Sequence, residues 1–462
     1  MGYSIEDVSV DGEGIGHFEG MTFFVRGGVP GDLILVRCMK LKKNYGFARL
    51  QKVLIPSKHR VKPLCDVANK CGGCQLMHMD YGAQLDFKQR MVRERLVRIG
   101  GFSEEKVDAV LKPIMGMEEP YHFRNKAQYP VGRDDEGNIQ MGFFAPHSHR
   151  IVESEICYLG HPVNEEIRDI IRSHREISVY DETTHSGLLR HVLIRRGYHT
   201  EEVMVCLVVN AATFNRHVQK LMDSLLPELM KVKHMTSIVV NYNPTASNVI
   251  LGQKTEKIWD WETISDRIAD ITFRISAPSF FQVNSLQTEK LYAKALEYAA
   301  LTGEETVWDL YCGIGTISLF LAQKAKKVFG VEVVPEAIEN AKENASLNGL
   351  TNTRFLLGKA EDVLPAYYEK SSTQGIDAED GRHPDVIVVD PPRKGCDEAC
   401  LRTMVSMAPD RIVYVSCDPA TLARDLKYLC ANGYDLKEAT PVDQFCHSGH
   451  VETIVGLQRV DT

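Results

Sequence analysis

The sequence predicts an α/β protein in three parts: a small N-terminal β-barrel over residues 1–55, a central α+β region over 56–262, and a parallel sheet wrapped by helices over 263–462. Three observations carry this prediction. The chain has 462 residues, 44% of them hydrophobic, more than one core holds when domains usually span about 100 to 200 residues. Residues 1–55 alternate short apolar runs with glycines, and from Val307 onward strand-like and helix-like segments alternate, the pattern of a parallel sheet covered on both faces.

In the first part, Gly12, Gly14, Gly16, Gly20, Gly27 and Gly28 punctuate the runs, and Pro30-Gly31-Asp32 precedes Leu33-Ile34-Leu35-Val36. Short strands with glycine turns at this spacing read as a small antiparallel barrel. The net charge of −8 taken alone argues against a nucleic-acid partner. The average conceals an asymmetry, because the stretch Arg37–Lys62 holds nine Lys or Arg and no Asp or Glu. Lys40, Lys42, Lys43, Arg49, Lys52, Lys58, Arg60 and Lys62 are interleaved with Tyr45 and Phe47, which pairs phosphate-binding charge with stacking faces. A solvated basic face is the alternative reading.

A basic connector ending near Pro63 leads into a cysteine cluster and then an amphipathic helix from about Tyr81 to Ile99, stopped by Gly100-Gly101. Between Tyr121 and Trp261, strands such as Val203–Val209 and Ser237–Asn241 mix with helical segments, and no specific fold follows from the pattern. No run of about 18 uncharged apolar residues occurs, and the start, Met1 to Asp7, lacks the regions of a signal peptide. Twelve cysteines without a secretory signal then point to thiols, metal ligands or catalysis in the cytoplasm rather than a disulfide framework. Ser371–Arg382 reads as a mobile loop.

The C-terminal strands are expected at Val307–Leu310, Val328–Glu332, Thr353–Leu357, Asp385–Asp390 and Arg411–Ser416. Ligands on such sheets bind at the carboxyl ends of the strands. At the first lies Asp309-Leu310-Tyr311-Cys312-Gly313-Ile314-Gly315-Thr316, where glycines let backbone approach a nucleotide; the third glycine of the dinucleotide fingerprint would fall at Ser318, which disfavours a pyrophosphate. The second ends in Glu332, placed to accept hydrogen bonds from ribose hydroxyls, or else to initiate a helix before Pro335. The fourth ends Asp390-Pro391-Pro392-Arg393. Enzymes that methylate exocyclic amines carry an aromatic where Arg393 stands, and the arginine suits a phosphate-rich substrate instead.

The fifth strand ends Ser416-Cys417-Asp418-Pro419, which puts a thiol on the cofactor side of the sheet. Most strand-end cysteines are inert small hydrophobes. A thiolate here has a use, because carbon 5 of uracil is a poor nucleophile until a thiolate adds to carbon 6. The resulting enolate attacks a sulfonium methyl, and a base then removes the carbon 5 proton to expel the thiol. The candidate base is Glu452 in Gly449-His450-Val451-Glu452-Thr453, with an ordinary exposed edge-strand residue as its alternative reading; His450 is equally ambiguous.

Taken together, Phe280-Phe281-Gln282-Val283-Asn284, Asp309 to Gly315, Gly330-Val331-Glu332, Asp390-Pro391-Pro392-Arg393, Ser416-Cys417-Asp418-Pro419 and His450-Val451-Glu452 resemble the RNA uracil-5-methyltransferase family, and particularly its members acting on 23S ribosomal RNA. The likeness implies a class I (Rossmann-like) S-adenosylmethionine-dependent methyltransferase domain with structured RNA as partner. It also implies Cys417 as nucleophile, Glu452 as proton acceptor, and Gln282, Tyr311, Glu332 and Asp390 lining the cofactor and substrate site. Nothing in its own surroundings singles out Gln282. The glycine-rich start is similar to the TRAM/OB-like RNA-binding barrel of such enzymes.

Cys65, Cys71 and Cys74 stand with five and two residues between them around Gly72-Gly73, a spacing that wraps one metal centre and needs a fourth ligand. The resemblance supplies Cys157 as that ligand and a 4Fe-4S cluster as the centre; spacing alone also allows zinc or three unrelated thiols. Rival readings are a transfer-RNA thymine-loop uridine as substrate, or a non-catalytic RNA-binding iron-sulfur protein. The cluster lacks the three-then-two spacing of radical S-adenosylmethionine enzymes. A monomer without membrane attachment is expected.

Overall fold

A computed structural model describes residues 2–373 and 383–460. Its first six strands, Gly2–Ser4, Asp7–Val8, Glu13–Phe18, Met21–Arg26, Leu33–Leu41 and Tyr45–Ile55, form one sheet in which the first pairs with the fifth and the second with the third. The sheet curls until the third strand meets the first: a Cβ on Gly16 would stand 2.6 Å from Ser4 O and from the Tyr3 ring, so only glycine fits the crossing. Inside are Tyr3, Ile5, Phe23, Val25, Ile34 and Val36. The Pro30-Gly31-Asp32 turn has its own reason. The buried Asp32 carboxylate accepts the N–H groups of Val29 (2.8 Å) and Ser57 (2.9 Å) and binds the Arg60 guanidinium, tying the barrel to its exit.

Helix Tyr81–Arg98 begins where the Asp80 side chain accepts the Ala83 N–H at 2.9 Å, and the left-handed Gly101 (φ 71°) follows its end. It buries Phe87, Met91, Val92 and Leu96 in one core with Trp308, Phe329, Tyr414 and Leu426 of the C-terminal part, so the N-terminal third is packed against the C-terminal sheet. The central region resolves into a six-stranded sheet in the order Lys254–Asp260, Met235–Tyr242, Val203–Val209, Leu189–Arg196, Lys126–Arg133 and Ile139–Met141. Helices Val163–Ser173 and Arg216–Leu229 share its core.

The C-terminal sheet has seven strands, in the order Thr353–Leu357, Lys327–Glu332, Thr306–Asp309, Val386–Val389, Arg411–Ser416, Glu452–Arg459 and Tyr434–Val442. The five expected strands are present and parallel. The last two, antiparallel, were not foreseen as a pair. The chain leaves Thr306–Asp309 to build one side of the sheet and returns beside it at Val386–Val389, so the ends of these two strands flank the crevice where such sheets bind ligands. The expected loop at Ser371–Arg382 is corrected in part: helix Ala360–Thr373 takes in its first three residues, and 374–382 lie outside the described residues.

Candidate active site

A cavity of about 510 Å³ opens at that crevice, and Gln282, Tyr311, Glu332 and Asp390, from four separate segments, all line it. The strand Thr306–Asp309 delivers the glycine loop. Gly315 takes a left-handed φ of 85° and caps helix Thr316–Ala322, while a Cβ on it would press within 3.3 Å of Ala341 and Phe355. Ser318, where a dinucleotide fingerprint would put glycine, instead donates to the buried Asp309 carboxylate at 2.6 Å. Glu332 opens the helix before Pro335, as one reading of its position expected. One oxygen accepts the Gly313 N–H (3.1 Å) and the other those of Val333 (2.7 Å) and Val334 (3.0 Å), so the carboxylate ties the glycine loop to the second strand and opens helix Pro335–Leu347. Gln282 is anchored by its backbone, whose carbonyl accepts from the Asn125 amide at 2.8 Å. Phe280, 69% exposed on the cavity wall, and Lys359 were not singled out by sequence; Asp309 was quoted only as part of its motif, although its strand-end position was a usable signal.

The unforeseen antiparallel pair decides the position of the reacting groups. Ser416 pairs with Thr453, so the next residue of one strand, Cys417, falls opposite the preceding residue of the other, Glu452. Glu452 lies on an inner strand and is 5% exposed, which overturns the reading of it as an exposed edge residue. Its Oε2 is buried without a hydrogen-bond partner. Burial and the nearby Asp390 hold its carboxyl well above the usual range, and burial with Glu452 and Asp390 pushes the Cys417 thiol up to about 12, against a lowering pull from Arg393. Asp390 is itself pushed up to about 7, chiefly by burial and then by Asp309. Cys417 and Glu452 do not line the cavity; Asp390 does, and its charge reaches both of them. His450 is half-buried and held below its usual range by desolvation and then by Arg393. A thiol and a carboxyl, both raised by burial, and an arginine therefore meet beside a nucleotide-sized cavity, an arrangement suited to adding sulfur to an electrophile and moving one proton.

Away from this crevice, Cys65, Cys71, Cys74 and Cys157 are gathered at one place. Cys65, Cys74 and Cys157 pack against the cluster of Met77, Phe123, Leu159 and Cys446. Desolvation, then mainly the other thiols, raises Cys65 and Cys74, and Cys71 is raised likewise. The Gly73 N–H points at the Cys71 sulfur at 3.4 Å, and the Val67 N–H bonds the Cys65 sulfur. Among the described residues, no group of three His, Cys, Asp or Glu side chains is drawn to metal-holding spacing. The four thiols lie near one another, two of them with backbone N–H donors on sulfur, but their spacing does not bear out the expected metal centre. The barrel presents Phe24, Tyr45 and Phe47 as a triad with ring centroids 5.7 to 5.9 Å apart, and Lys40, Lys42, Lys43 and Arg49 are exposed on its last two strands and their connection.

Comparison with known proteins agrees with this geometry. A family model described as tRNA (Uracil-5-)-methyltransferase matches residues 119–460. An uncharacterized RNA methyltransferase of Halalkalibacterium halodurans is 48% identical over 459 residues, 98% of this chain and 96% of its own. One from Clostridium tetani is 45% identical over 454 residues, 98% of this chain and 94% of its own. Among solved structures, the tRNA (uracil-54, C5)-methyltransferase of Pyrococcus abyssi in complex with S-adenosyl-L-homocysteine matches with a TM-score of 0.77 at 29% identity, covering 99% of this chain and 100% of that one. Among the described residues no helix is long and apolar enough to cross a membrane.

Proposed function

Since this chain belongs to the tRNA (uracil-5-)-methyltransferase family, enzymes that move a methyl group from S-adenosylmethionine to carbon 5 of uracil in RNA, we propose that it acts on a uridine of 23S ribosomal RNA through a covalent adduct on Cys417. The observation that supports the mechanism is the pairing of Ser416 with Thr453, which leaves Cys417 and Glu452 as the adjoining residues of the two strands, close enough for the Glu452 charge to act on the thiol. The Cys417 thiol gives its proton to solvent, and the thiolate bonds to carbon 6 of the uracil as the ring electrons move to oxygen 4. Carbon 5 then takes the sulfonium methyl, S-adenosylhomocysteine leaves, and the Glu452 carboxylate takes the carbon 5 proton as the carbon–sulfur bond breaks and returns the thiolate. Gln282, Tyr311, Glu332 and Asp390 hold the cofactor and the base. Glu452 works from inside the sheet, where its carboxylate, once formed, is a stronger base than one in water.

The barrel, residues 1–55, is the proposed RNA-binding part, with Phe24, Tyr45 and Phe47 as stacking faces among lysines. Residues 56–262 and 263–462 are the proposed central and catalytic parts, working in the cytoplasm as a monomer. Cys65, Cys71, Cys74 and Cys157 would hold a 4Fe-4S cluster, with zinc as the alternative, and such a centre would brace the central part; no step of methyl transfer passes through it.

Transfer RNA is the second reading. It is favoured by the Pyrococcus abyssi enzyme, whose described substrate is tRNA and whose whole length is matched here, so the N-terminal segments do not separate the two substrates. Transfer of label from S-adenosylmethionine to total RNA lacking 5-methyluridine, followed by separation of the RNA species, decides between them: label in 23S 5-methyluridine supports the first reading, and label confined to transfer RNA replaces it with the second.

A further inference from the structure

The catalytic edge of the C-terminal sheet is completed from outside that part of the chain. Residues 443–450 connect strand Tyr434–Val442 to the strand that Glu452 opens, and Glu452 is paired in register with Val442, the residue just before Asp443. Asp443 is wholly buried, and so is the cation that meets it, Lys88 of helix Tyr81–Arg98. The Lys88 ammonium donates to Asp443 Oδ1 at 2.5 Å and to the Phe445 carbonyl at 3.0 Å. The Tyr81 hydroxyl, two turns of helix away on the same face, donates to Asp443 Oδ2 at 2.7 Å. Further along the connection, Gln84 Oε1 accepts the His447 N–H at 3.1 Å. One helix therefore grips the connection at both its start and its middle.

Glu452 needs that grip. One of its carboxylate oxygens, Oε2, has no hydrogen-bond partner in the buried site, so no hydrogen bond holds that oxygen in place and the placing of its backbone matters the more. Two charges at zero exposure carry a large desolvation cost, and such pairs often bring little net stability over an apolar pair of the same volume, which points to geometric specification as a use for this one. Lys88 also lies upstream of the 119–460 region shared with the family.

We infer that Lys88, Asp443 and Tyr81 are positioning residues for methyl transfer, acting by holding the 443–450 connection so that Glu452 faces the uracil bound at Cys417. This rests on the reading of Glu452 as the base. A misplacement of about 1 Å suffices to cost on the order of a hundredfold in rate, so the loss falls on turnover and not on binding.

The test is a double-mutant cycle on the full-length protein with substrate RNA, reading kcat and KM under single-site conditions for Lys88→Met, Glu452→Gln and the two combined. We expect Lys88→Met to lower kcat by about tenfold or more with both KM values within about twofold. In the Glu452→Gln background the same change should alter the rate by less than about twofold, because the group it positions is already gone. Tyr81→Phe, which removes a single hydroxyl and leaves the ion pair, gives the same pattern at smaller amplitude and keeps the test usable if Lys88→Met does not fold. Parent-like kcat in both Lys88→Met and Tyr81→Phe, or losses that multiply fully with Glu452→Gln, overturn the inference. Parent-like turnover of Glu452→Gln itself overturns the reading of the base, and the two failures are thereby distinguishable.

Discussion

At the scale of single residues, the site is governed by burial. Burial pushes the Cys417 thiol up to about 12 and raises the Glu452 carboxyl well above the usual carboxylate range, and the proposed chemistry needs each of them ionised in turn. For both groups a raised value means that the active form grows as pH rises, so kcat/KM for RNA should climb from about pH 6 to about pH 9 without a falling limb from either group. A rate profile measured over that range checks it. Cys417→Ala should lose methyl transfer by about a thousandfold or more while still binding cofactor, as measured by calorimetric titration with S-adenosylhomocysteine. Glu452→Gln should still attack the ring but release it slowly, so that an RNA-linked band persists on a denaturing gel. How much of this was legible beforehand follows from where the residues sit. Cys417, Glu332 and Asp390 stand at the ends of strands in a regular alternating pattern, and their placement at the mouth of the sheet could be read from that position. Glu452 could be placed only by the motif it shares with a family, because its burial depends on the strand Tyr434–Val442 lying outside it. Gln282 is held by a backbone contact to Asn125, more than a hundred residues away in sequence, and leaves no local trace.

At the scale of elements, the parallel strands were readable because each is a continuous apolar run bounded by turn residues, the signature of strands buried on both faces. The antiparallel pair was harder. Tyr434–Val442 carries Asp435, Lys437 and Glu438, whose side chains reach solvent at the sheet edge, and this masks the strand. The barrel makes its own prediction. Replacing Tyr45 and Phe47 by alanine should raise the KM for RNA, each stacked ring contributing about 1–3 kcal/mol at most, with kcat for saturating RNA little changed. Removing Lys42 and Lys43 should flatten the dependence of RNA affinity on salt, each lost phosphate contact taking about 0.7 to 0.9 from the slope. Binding curves at several salt concentrations separate stacking from charge.

At the scale of the whole molecule, the three parts are locked together rather than strung on linkers. Helix Tyr81–Arg98 shares a core with the C-terminal sheet, and the segment at Leu111 and Met115 pairs with the edge strand at Ala439 and Val442. None of this is visible in sequence, since it joins positions more than two hundred residues apart through ordinary apolar side chains. The gathered cysteines lie within this locked region, beside Cys446 of the connection that leads to Glu452. On the proposed reading of these thiols as cluster ligands, Cys71→Ser should lower the thermal midpoint of the full-length protein and remove the iron found in the parent, read by metal and sulfide analysis after anaerobic purification; zinc in the parent would replace the cluster with the tetrahedral alternative, and a parent without metal would overturn the reading.

The central claim is that methyl transfer proceeds through a bond between Cys417 and carbon 6 of the uracil. It is tested most directly with substrate RNA carrying 5-fluorouridine, whose carbon 5 has no proton for Glu452 to remove, so that the methylated adduct cannot release. Incubation with S-adenosylmethionine, digestion and mass spectrometry should return the peptide containing Cys417 joined to methylated fluorouridine. Recovery of that peptide unmodified, from protein that methylates ordinary RNA at its normal rate, would contradict the mechanism.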